Sequence, residues 1–169
     1  MANQQCLISL QIKQRQKLRN SMNEEKLSFV VTLSGTFWDR RPQFSIWLDD
    51  HAVIQSEIAS AAQQPVTFEH TIDEGPHELK IRLENKNTSD TVIENSEVVK
   101  DMLLNIDDIT IDDISLGNLL WSAEYILDKK QMYKSQEIDH LDGCVNLGWN
   151  GTYILKFTSP FYIWLLEKL

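Results

Sequence analysis

Hydrophobic and polar residues alternate most regularly over residues 103–121 of this chain. The alternation changes phase twice, and each change falls on a pair of adjacent aspartates, Asp107-Asp108 and Asp112-Asp113. A β-strand points successive side chains to opposite faces, so one extra residue at each pair keeps the apolar set on one face. That set is Leu104, Ile106, Ile109, Ile111, Ile114 and Leu116. The pattern therefore predicts a single strand with two β-bulges.

Other short segments are rich in β-branched and aromatic residues and are separated by turn-forming residues. They predict strands at 28–38, 43–48, 52–58, 66–72, 77–84, 91–99, 152–157 and 161–169. Over residues 122–142 the apolar positions are irregular, and we expect an irregular excursion there, before the C-terminal strands. Many short strands with little helical periodicity favour an all-β fold, a jelly-roll-like antiparallel β-sandwich.

The N-terminal residues carry a pattern of their own. Apolar residues alternate with polar ones from Ile8 to Ile12, and basic residues continue at the same spacing of two. These basic residues are Lys13, Arg15, Lys17 and Arg19. In an extended chain they share one face, which suits either an arm that contacts other subunits or an edge strand protected by charge. We divide the chain into an N-terminal arm or strand, 1–26, and a single sandwich domain, 27–169.

Aromatic and aliphatic residues concentrate near the C-terminus, where the chain ends without a polar tail. Such a segment is normally docked, either in the core of its own domain or on another subunit. For the second alternative, Trp164 and Leu169 are the candidate subunit contacts.

The charge balance limits the classes of partner. The chain has 25 Asp and Glu against 16 Lys and Arg, a formal net charge of −9, which argues against nucleic-acid binding. Its two cysteines are too few for a disulfide framework. Neither a secretory signal nor an apolar run of membrane-spanning length is apparent, so we expect no membrane association and a protein made in a cytoplasm.

The sequence lacks the motifs of several enzyme classes. It has no GxSxG, no P-loop, no GxGxxG after a strand and no HExxH, and its four histidines are dispersed. Carboxylates are numerous, but a glycosidase needs two of them at a defined separation in a cleft. We therefore expect a protein that is not an enzyme.

Calcium is the metal that the oxygen-rich residues favour, since it takes six to eight oxygen ligands in irregular geometry. The candidate ligands are the two aspartate pairs and two residues of a polar loop: Asp107, Asp108, Asp112, Asp113, Asn87 and Asp90. The alternative for the aspartate pairs is a solvated strand face. For sugar binding, aromatic faces are the relevant chemistry, and the candidates are Trp38, Trp47, Trp121 and Tyr125, which equally suit a sandwich core.

The order of motifs over residues 66–116 resembles the calcium-dependent xylan-binding family of carbohydrate-binding modules. A strand after a Gly75-Pro76-His77 turn leads to an Asn85-Lys86 loop and then to a strand with Asp between apolar residues. The resemblance implies a jelly-roll-like sandwich that holds calcium and contacts polysaccharide hydroxyls. The loop of this chain departs from the family in lacking a dense acidic cluster.

The C-terminal part, from SLGNLLW through NLGWNGTYILKF to PFYIWLLEKL, resembles small structural proteins of tailed cyanobacterial phages that contain such a module. This resemblance implies a non-enzymatic virion protein, a neck, tail, fibre or capsid-decorating subunit assembled in the host cytoplasm. Its partners would be other virion subunits or copies of itself. The alternative function is that of a calcium-dependent carbohydrate-binding module.

Overall fold

The computed structural model describes residues 24–169 of the chain. In chain order its strands are β1 (Glu24–Thr36), β2 (Gln43–Leu48), β3 (His51–Glu57), β4 (Gln64–Asp73), β5 (Gly75–Leu83), β6 (Val92–Glu94), β7 (Glu97–Lys100), β8 (Leu103–Ile111), β9 (Ile114–Ser115), β10 (Glu124–Tyr133), β11 (Gln136–Asp142), β12 (Asn146–Leu147) and β13 (Gly151–Ser159). Two 3₁₀ turns lie at Thr88–Asp90 and Gly117–Ser122, and the α-helix α1 spans Phe161–Lys168.

The strands form two antiparallel sheets and one separate hairpin. The first sheet has the order β12-β8-β1-β4, with β9 paired to β8, and the second has the order β11-β10-β13-β5-β2-β3. Strands β6 and β7 pair only with each other, within the segment that the sequence predicted as one strand at 91–99. The all-β, jelly-roll-like antiparallel sandwich predicted from the sequence is confirmed.

The core lies between the two sheets, because each strand buries alternate residues. Strand β1 buries Leu27, Phe29, Val31 and Leu33, and β13 opposes it with Tyr153, Leu155 and Phe157. The rings of Phe29 and Phe157 meet edge to face with centroids 6.3 Å apart, which joins the sheets directly. Burying each large apolar side chain contributes roughly 1.5–3 kcal/mol, so the period-two pattern stabilises the sandwich.

The two aspartate pairs differ in structure. Thr32 of β1 pairs with Asp108 and Leu33 pairs with Ile106, so Asp107 is the extra residue of a true bulge. The second predicted bulge is wrong: Asp112 and Asp113, with φ of 48° and 63°, form the turn that joins β8 to β9. A two-residue hairpin turn at positive φ preserves the phase of the apolar residues just as a bulge does.

Residues 122–142 form the long hairpin β10–β11 rather than an irregular excursion. The half of this hairpin near its turn is exposed on both faces, so no apolar alternation marks it in the sequence. Residues 161–169, predicted as a strand, contain α1 instead, which buries Phe161, Trp164 and Leu165 at helical spacing.

The two residues near the C-terminus that we predicted as subunit contacts differ in exposure. Trp164 is only 6% exposed and packs edge to face on Phe157, so it belongs to the core and is unavailable to another subunit. Leu169, by contrast, is exposed.

The four basic residues at 13–19 lie outside the described residues. Strand β1 begins at Glu24, ahead of the boundary that we placed after residue 26. Among residues 24–169, no helix has the length and apolar character needed to cross a membrane.

Candidate binding cleft

A cleft of about 670 Å³ lies at the end of the second sheet where β5 finishes and β13 begins. Three parts of the chain form its walls: the loop between β5 and β8, the middle of β10, and the turn before β13. Its lining includes Lys86, Asn87, Asp128, Gln131, Trp149 and Asn150. Amides, one indole and charged groups therefore converge on a single concave surface.

Asn150 joins two of these walls through its side chain. Its Oδ1 accepts a hydrogen bond from the Lys86 backbone N–H at 2.7 Å, and its Nδ2 donates to the Lys86 carbonyl oxygen at 2.9 Å. Both hydrogen-bonding groups of the Lys86 backbone are thus satisfied by one amide. The pair of bonds fixes the spacing between the β5–β8 loop and the turn before β13.

Trp149 is held in the cleft by the residue beneath it. The Tyr125 hydroxyl donates to the Trp149 carbonyl oxygen and accepts from the Trp149 N–H at 3.1 Å. Gly151 lets the start of β13 lie close to β10, since a Cβ there would lie 2.4 Å from the Ile126 carbonyl oxygen. The indole also meets the Tyr133 ring edge to face, with centroids 6.1 Å apart.

Tyr125 itself is fully buried, so its predicted role as an exposed sugar-binding aromatic is wrong. Burial raises the pKa of its phenol far above the usual value, mainly by desolvation, and the group stays a protonated donor. Trp149 is the aromatic residue that the sequence argument missed. Its signal was its place in the glycine-punctuated segment GCVNLGWNG, since a tryptophan in a turn is not committed to a strand's buried face.

Asp90 is the most deeply buried carboxylate near the cleft, with a side chain only 3% exposed. The Arg40 guanidinium pairs with both of its oxygens, with Nε 3.1 Å from Oδ1. The Asn87 N–H donates to Oδ2 at 2.7 Å. A buried carboxylate requires such a partner, because an unpaired charge in a protein interior is strongly unfavourable.

Two further carboxylates at the cleft are also paired with basic side chains. The Lys86 ammonium binds Asp101 Oδ1, which accepts as well from Thr91 Oγ1 at 2.7 Å and from the Met102 N–H at 2.9 Å. Arg82 Nη2 lies 2.5 Å from Asp128 Oδ2. Each acidic group around the cleft is therefore neutralised by the protein.

The six predicted calcium ligands fall at separate places. Asp112 accepts from the Ser28 N–H at 2.8 Å, near the start of β1, whereas Asp90 meets Trp38 and Arg40 beyond its end. At the rise of a strand, Ser28 and Thr36, the last residue of β1, are roughly 26 Å apart. Asp107 and Asp108 lie between them on β8, Asp113 is exposed beside Asp112, and only Asn87 accompanies Asp90.

The structure therefore does not assemble these six residues into one site. Asp108, for example, already accepts hydrogen bonds from the hydroxyls of Ser115 and Thr110. Within residues 24–169, no three Asp, Glu, His or Cys side chains form a group that could hold a metal ion. Calcium prefers six to eight oxygens, several of them charged, and the paired carboxylates of the cleft do not fit that requirement.

The predicted sugar-binding tryptophans lie apart from the cleft. Trp38 donates from Nε1 to the Asp90 carbonyl oxygen at 3.0 Å, and Lys100 Nζ covers its ring 4.6 Å from the centroid. Trp47 is half-buried and bonds Ser45 Oγ at 3.0 Å. Trp121 is exposed in the second 3₁₀ turn. The three do not share a surface with Trp149 in the described part of the chain.

Comparison with known proteins bears on the fold. No protein-family model matches the chain, and no curated protein matches it. Among solved structures, one similar chain is vCBM60 in complex with galactobiose, at 13% identity and a TM-score of 0.51, covering 76% of this chain and 96% of that one. The chain folds like a carbohydrate-binding module.

A second similar structure is the selenomethionine form of vCBM60, at 16% identity and a TM-score of 0.52, covering 76% of this chain and 89% of that one. It was solved in work on circular permutation as an evolutionary link between two families of calcium-dependent carbohydrate-binding modules. At these identities the similarity shows the fold alone, which agrees with the β-sandwich described above.

Proposed function

We propose that this chain is a non-catalytic carbohydrate-binding domain that takes its sugar in the cleft beside Trp149. The observation that carries the proposal is Trp149, a half-buried residue whose backbone is fixed by Tyr125 and whose indole meets Tyr133, on a concave surface that also presents amides and charged groups. Aromatic faces pack against the apolar faces of sugar rings, and amides exchange hydrogen bonds with their hydroxyls. The fold of vCBM60, solved with galactobiose, supports the same function.

The size of the cleft suits a short stretch of a polysaccharide. Its volume of about 670 Å³ lies within the roughly 300–1,000 Å³ typical of small-molecule sites. Gln131 and Asn87 lie on different walls and both carry amides, groups that exchange hydrogen bonds with the hydroxyls of a neutral sugar. We therefore propose neutral oligosaccharides as the ligand class, with galactobiose, the ligand of vCBM60, as the first to test.

The test is a glycan titration of three forms of the full chain. Galactobiose and soluble xylan and galactan are titrated calorimetrically into the native chain, Trp149→Ala and the control Trp121→Ala. We expect Trp149→Ala to weaken binding at least tenfold, about 1.4 kcal/mol, and Trp121→Ala to leave it unchanged. Absence of binding to every glycan, or equal affinity in all three forms, would overturn the proposal.

As a second candidate function we propose assembly with further copies of the chain, as in a virion, and the outer face of α1 supports such self-association. Its exposed residues include Ile163, Leu166 and Leu169, with Leu166 74% exposed. Acidic groups border this face: partial desolvation and the nearby Asp112 raise the pKa of Tyr162 above its ordinary value. An apolar surface with an acidic rim complements a segment that is both apolar and basic.

The N-terminal segment has that composition, with Ile8, Leu10 and Ile12 followed by alternating cations. We propose that the arm of one copy docks on α1 of a second copy, in a phage particle assembled in the host cytoplasm. Light scattering would then show the full chain as an oligomer, and Leu166→Glu would give monomers. Met132→Ser, on the exposed β10–β11 hairpin, is the control. A monomeric native chain would contradict self-assembly.

A further inference from the structure

We propose that the cleft of this chain works without calcium, because the carboxylates in and beside it are already paired with basic side chains of the protein. The proposal rests on the carbohydrate-binding function argued above and separates this chain from the calcium-dependent modules whose fold it shares. It starts from Asp128 in the cleft lining and from Asp90 and Asp101 beside it, each of which has a basic side chain where a metal would have to bind.

Asp101 shows most clearly how a basic side chain takes the place of a metal ion. Its Oδ1 accepts three hydrogen bonds, from the Lys86 ammonium, the Thr91 hydroxyl and the Met102 N–H. The Lys86 ammonium also donates to the Met102 carbonyl oxygen at 2.9 Å, and its side chain is only 8% exposed. Calcium binds carboxylate and backbone carbonyl oxygens. Here the Lys86 ammonium occupies both of these acceptors.

Arg40 pairs with Asp90 as Lys86 pairs with Asp101. The guanidinium holds both carboxylate oxygens, and it also lies 3.4 Å from the Asn85 carbonyl oxygen. Two parallel N–H bonds to a carboxylate are the strongest geometry available to an arginine. A calcium ion would have to displace this partner and would then face its charge at close range, which makes entry unfavourable.

The two pairs also fix the shape of the cleft. Lys86 ties the start of the β5–β8 loop to its end at Asp101 and Met102, and Arg40 ties the middle of the loop to the β1–β2 connection. Asn150 then joins the backbone of Lys86 to the wall that carries Trp149. A bound ion that crosslinks loops would have the same effect, so none is needed for the cleft to keep its form.

The first experiment measures metal dependence in the native full chain. The melting temperature and the dissociation constant of galactobiose are compared in excess calcium chloride and in chelator. A native state that binds an ion is stabilised by it through mass action, so we expect no difference in either quantity. A higher melting temperature or tighter glycan binding with calcium would overturn the proposal. Absence of glycan binding in both buffers counts against the carbohydrate function, and the melting arm still decides the metal question.

The second experiment tests whether the Lys86–Asp101 pair holds the cleft in place of a metal ion. We expect Lys86→Met to lower the melting temperature and to weaken glycan binding at least tenfold, in calcium and in chelator alike. The control Lys156→Met removes an exposed lysine that pairs with Glu124 at 3.4 Å on β10, and it should change neither quantity. Lys86→Met behaving like Lys156→Met would overturn the proposal.

Lys86→Met leaves Asp101 without its cation, so a further variant guards against simple unfolding. Lys86→Met/Asp101→Asn removes both charges and keeps the hydrogen-bond acceptor for Thr91 and Met102. We expect it to melt above Lys86→Met, with no response to calcium. A double variant no more stable than Lys86→Met would show that the ammonium does not act through Asp101.

Discussion

The Tyr125 hydroxyl is bonded to both backbone groups of Trp149, donating to the carbonyl oxygen and accepting from the N–H. One fully buried phenol therefore sets the position of the aromatic residue that lines the cleft. The rigidity of this contact bears on the glycan binding that we propose, because a residue with a fixed backbone loses less conformational entropy when a ligand packs on it. The core of the sandwich thus determines the geometry of its surface.

Tyr125→Phe should separate this positioning effect from simple packing. Removing the hydroxyl leaves two backbone groups of Trp149 without a partner, and we expect a loss of about 1–3 kcal/mol in the free energy of unfolding together with weaker glycan binding. Denaturant unfolding and calorimetric titration measure the two. The matched control is Tyr153→Phe, whose hydroxyl donates to the Leu120 carbonyl oxygen at 2.8 Å away from Trp149. Tyr153→Phe should lower the free energy of unfolding and leave glycan binding unchanged. If both variants weaken glycan binding equally, Tyr125 does not act by positioning Trp149.

The Asp112-Asp113 turn gives opposite expectations for its two residues. Asp112→Ala loses the bonds to the Ser28 N–H and hydroxyl and places alanine at a φ of 48°, so stability should fall by about 2 kcal/mol. Asp113, exposed at a φ of 63°, makes the turn that glycine adopts freely. Asp113→Gly should be neutral or stabilising by up to about 1 kcal/mol. Urea denaturation checks both, and destabilisation by Asp113→Gly would contradict the turn geometry.

Glu25 links the first described strand to the start of α1. Its Oε2 accepts from the Ser159 hydroxyl at 2.8 Å and from the Phe161 N–H at 2.9 Å, where the helix has unpaired N–H groups. Glu25→Ala should therefore cost about 1–2 kcal/mol. Thermal unfolding compares it with Glu24→Ala, the exposed neighbour. If the two variants melt together, the contact does not stabilise the helix.

Acid should weaken the contact between Asp49 and the first half of β5. Burial raises the pKa of Asp49, but hydrogen bonds from His77 and the Glu78 N–H outweigh it and hold the pKa below 3.8. A carboxylate with a lowered folded pKa stabilises the fold above its unfolded value and loses that contribution as the pH falls through the folded value. Asp49→Asn should thus melt below the native chain at neutral pH and approach it as the pH falls below the lowered folded pKa of Asp49. The exposed neighbour variant Asp50→Asn should show no such convergence.

Much of the sandwich could be predicted because strand alternation is a local property. The buried face of Leu104, Ile106, Ile109 and Ile111 was correctly assigned from phase alone, and so was the bulge at Asp107. The same phase argument could not distinguish a second bulge from the turn at Asp112, since both restore the alternation. Nor could local composition show that the apolar C-terminal residues, among them Trp164, form a helix, because burial by tertiary packing decided it.

Most of the cleft could not be predicted from the sequence, for a different reason. Trp149, Lys86 and Asp128 come from three distant parts of the chain, and only the closure of the sheets brings them to one end of the sandwich. The sequence by itself determined which residues alternate, which carboxylates exist and that the fold is all-β. The tertiary structure decided which of those carboxylates meet a cation, as Asp90 meets Arg40 fifty positions away, because ion pairing depends on distance in space rather than on order along the chain.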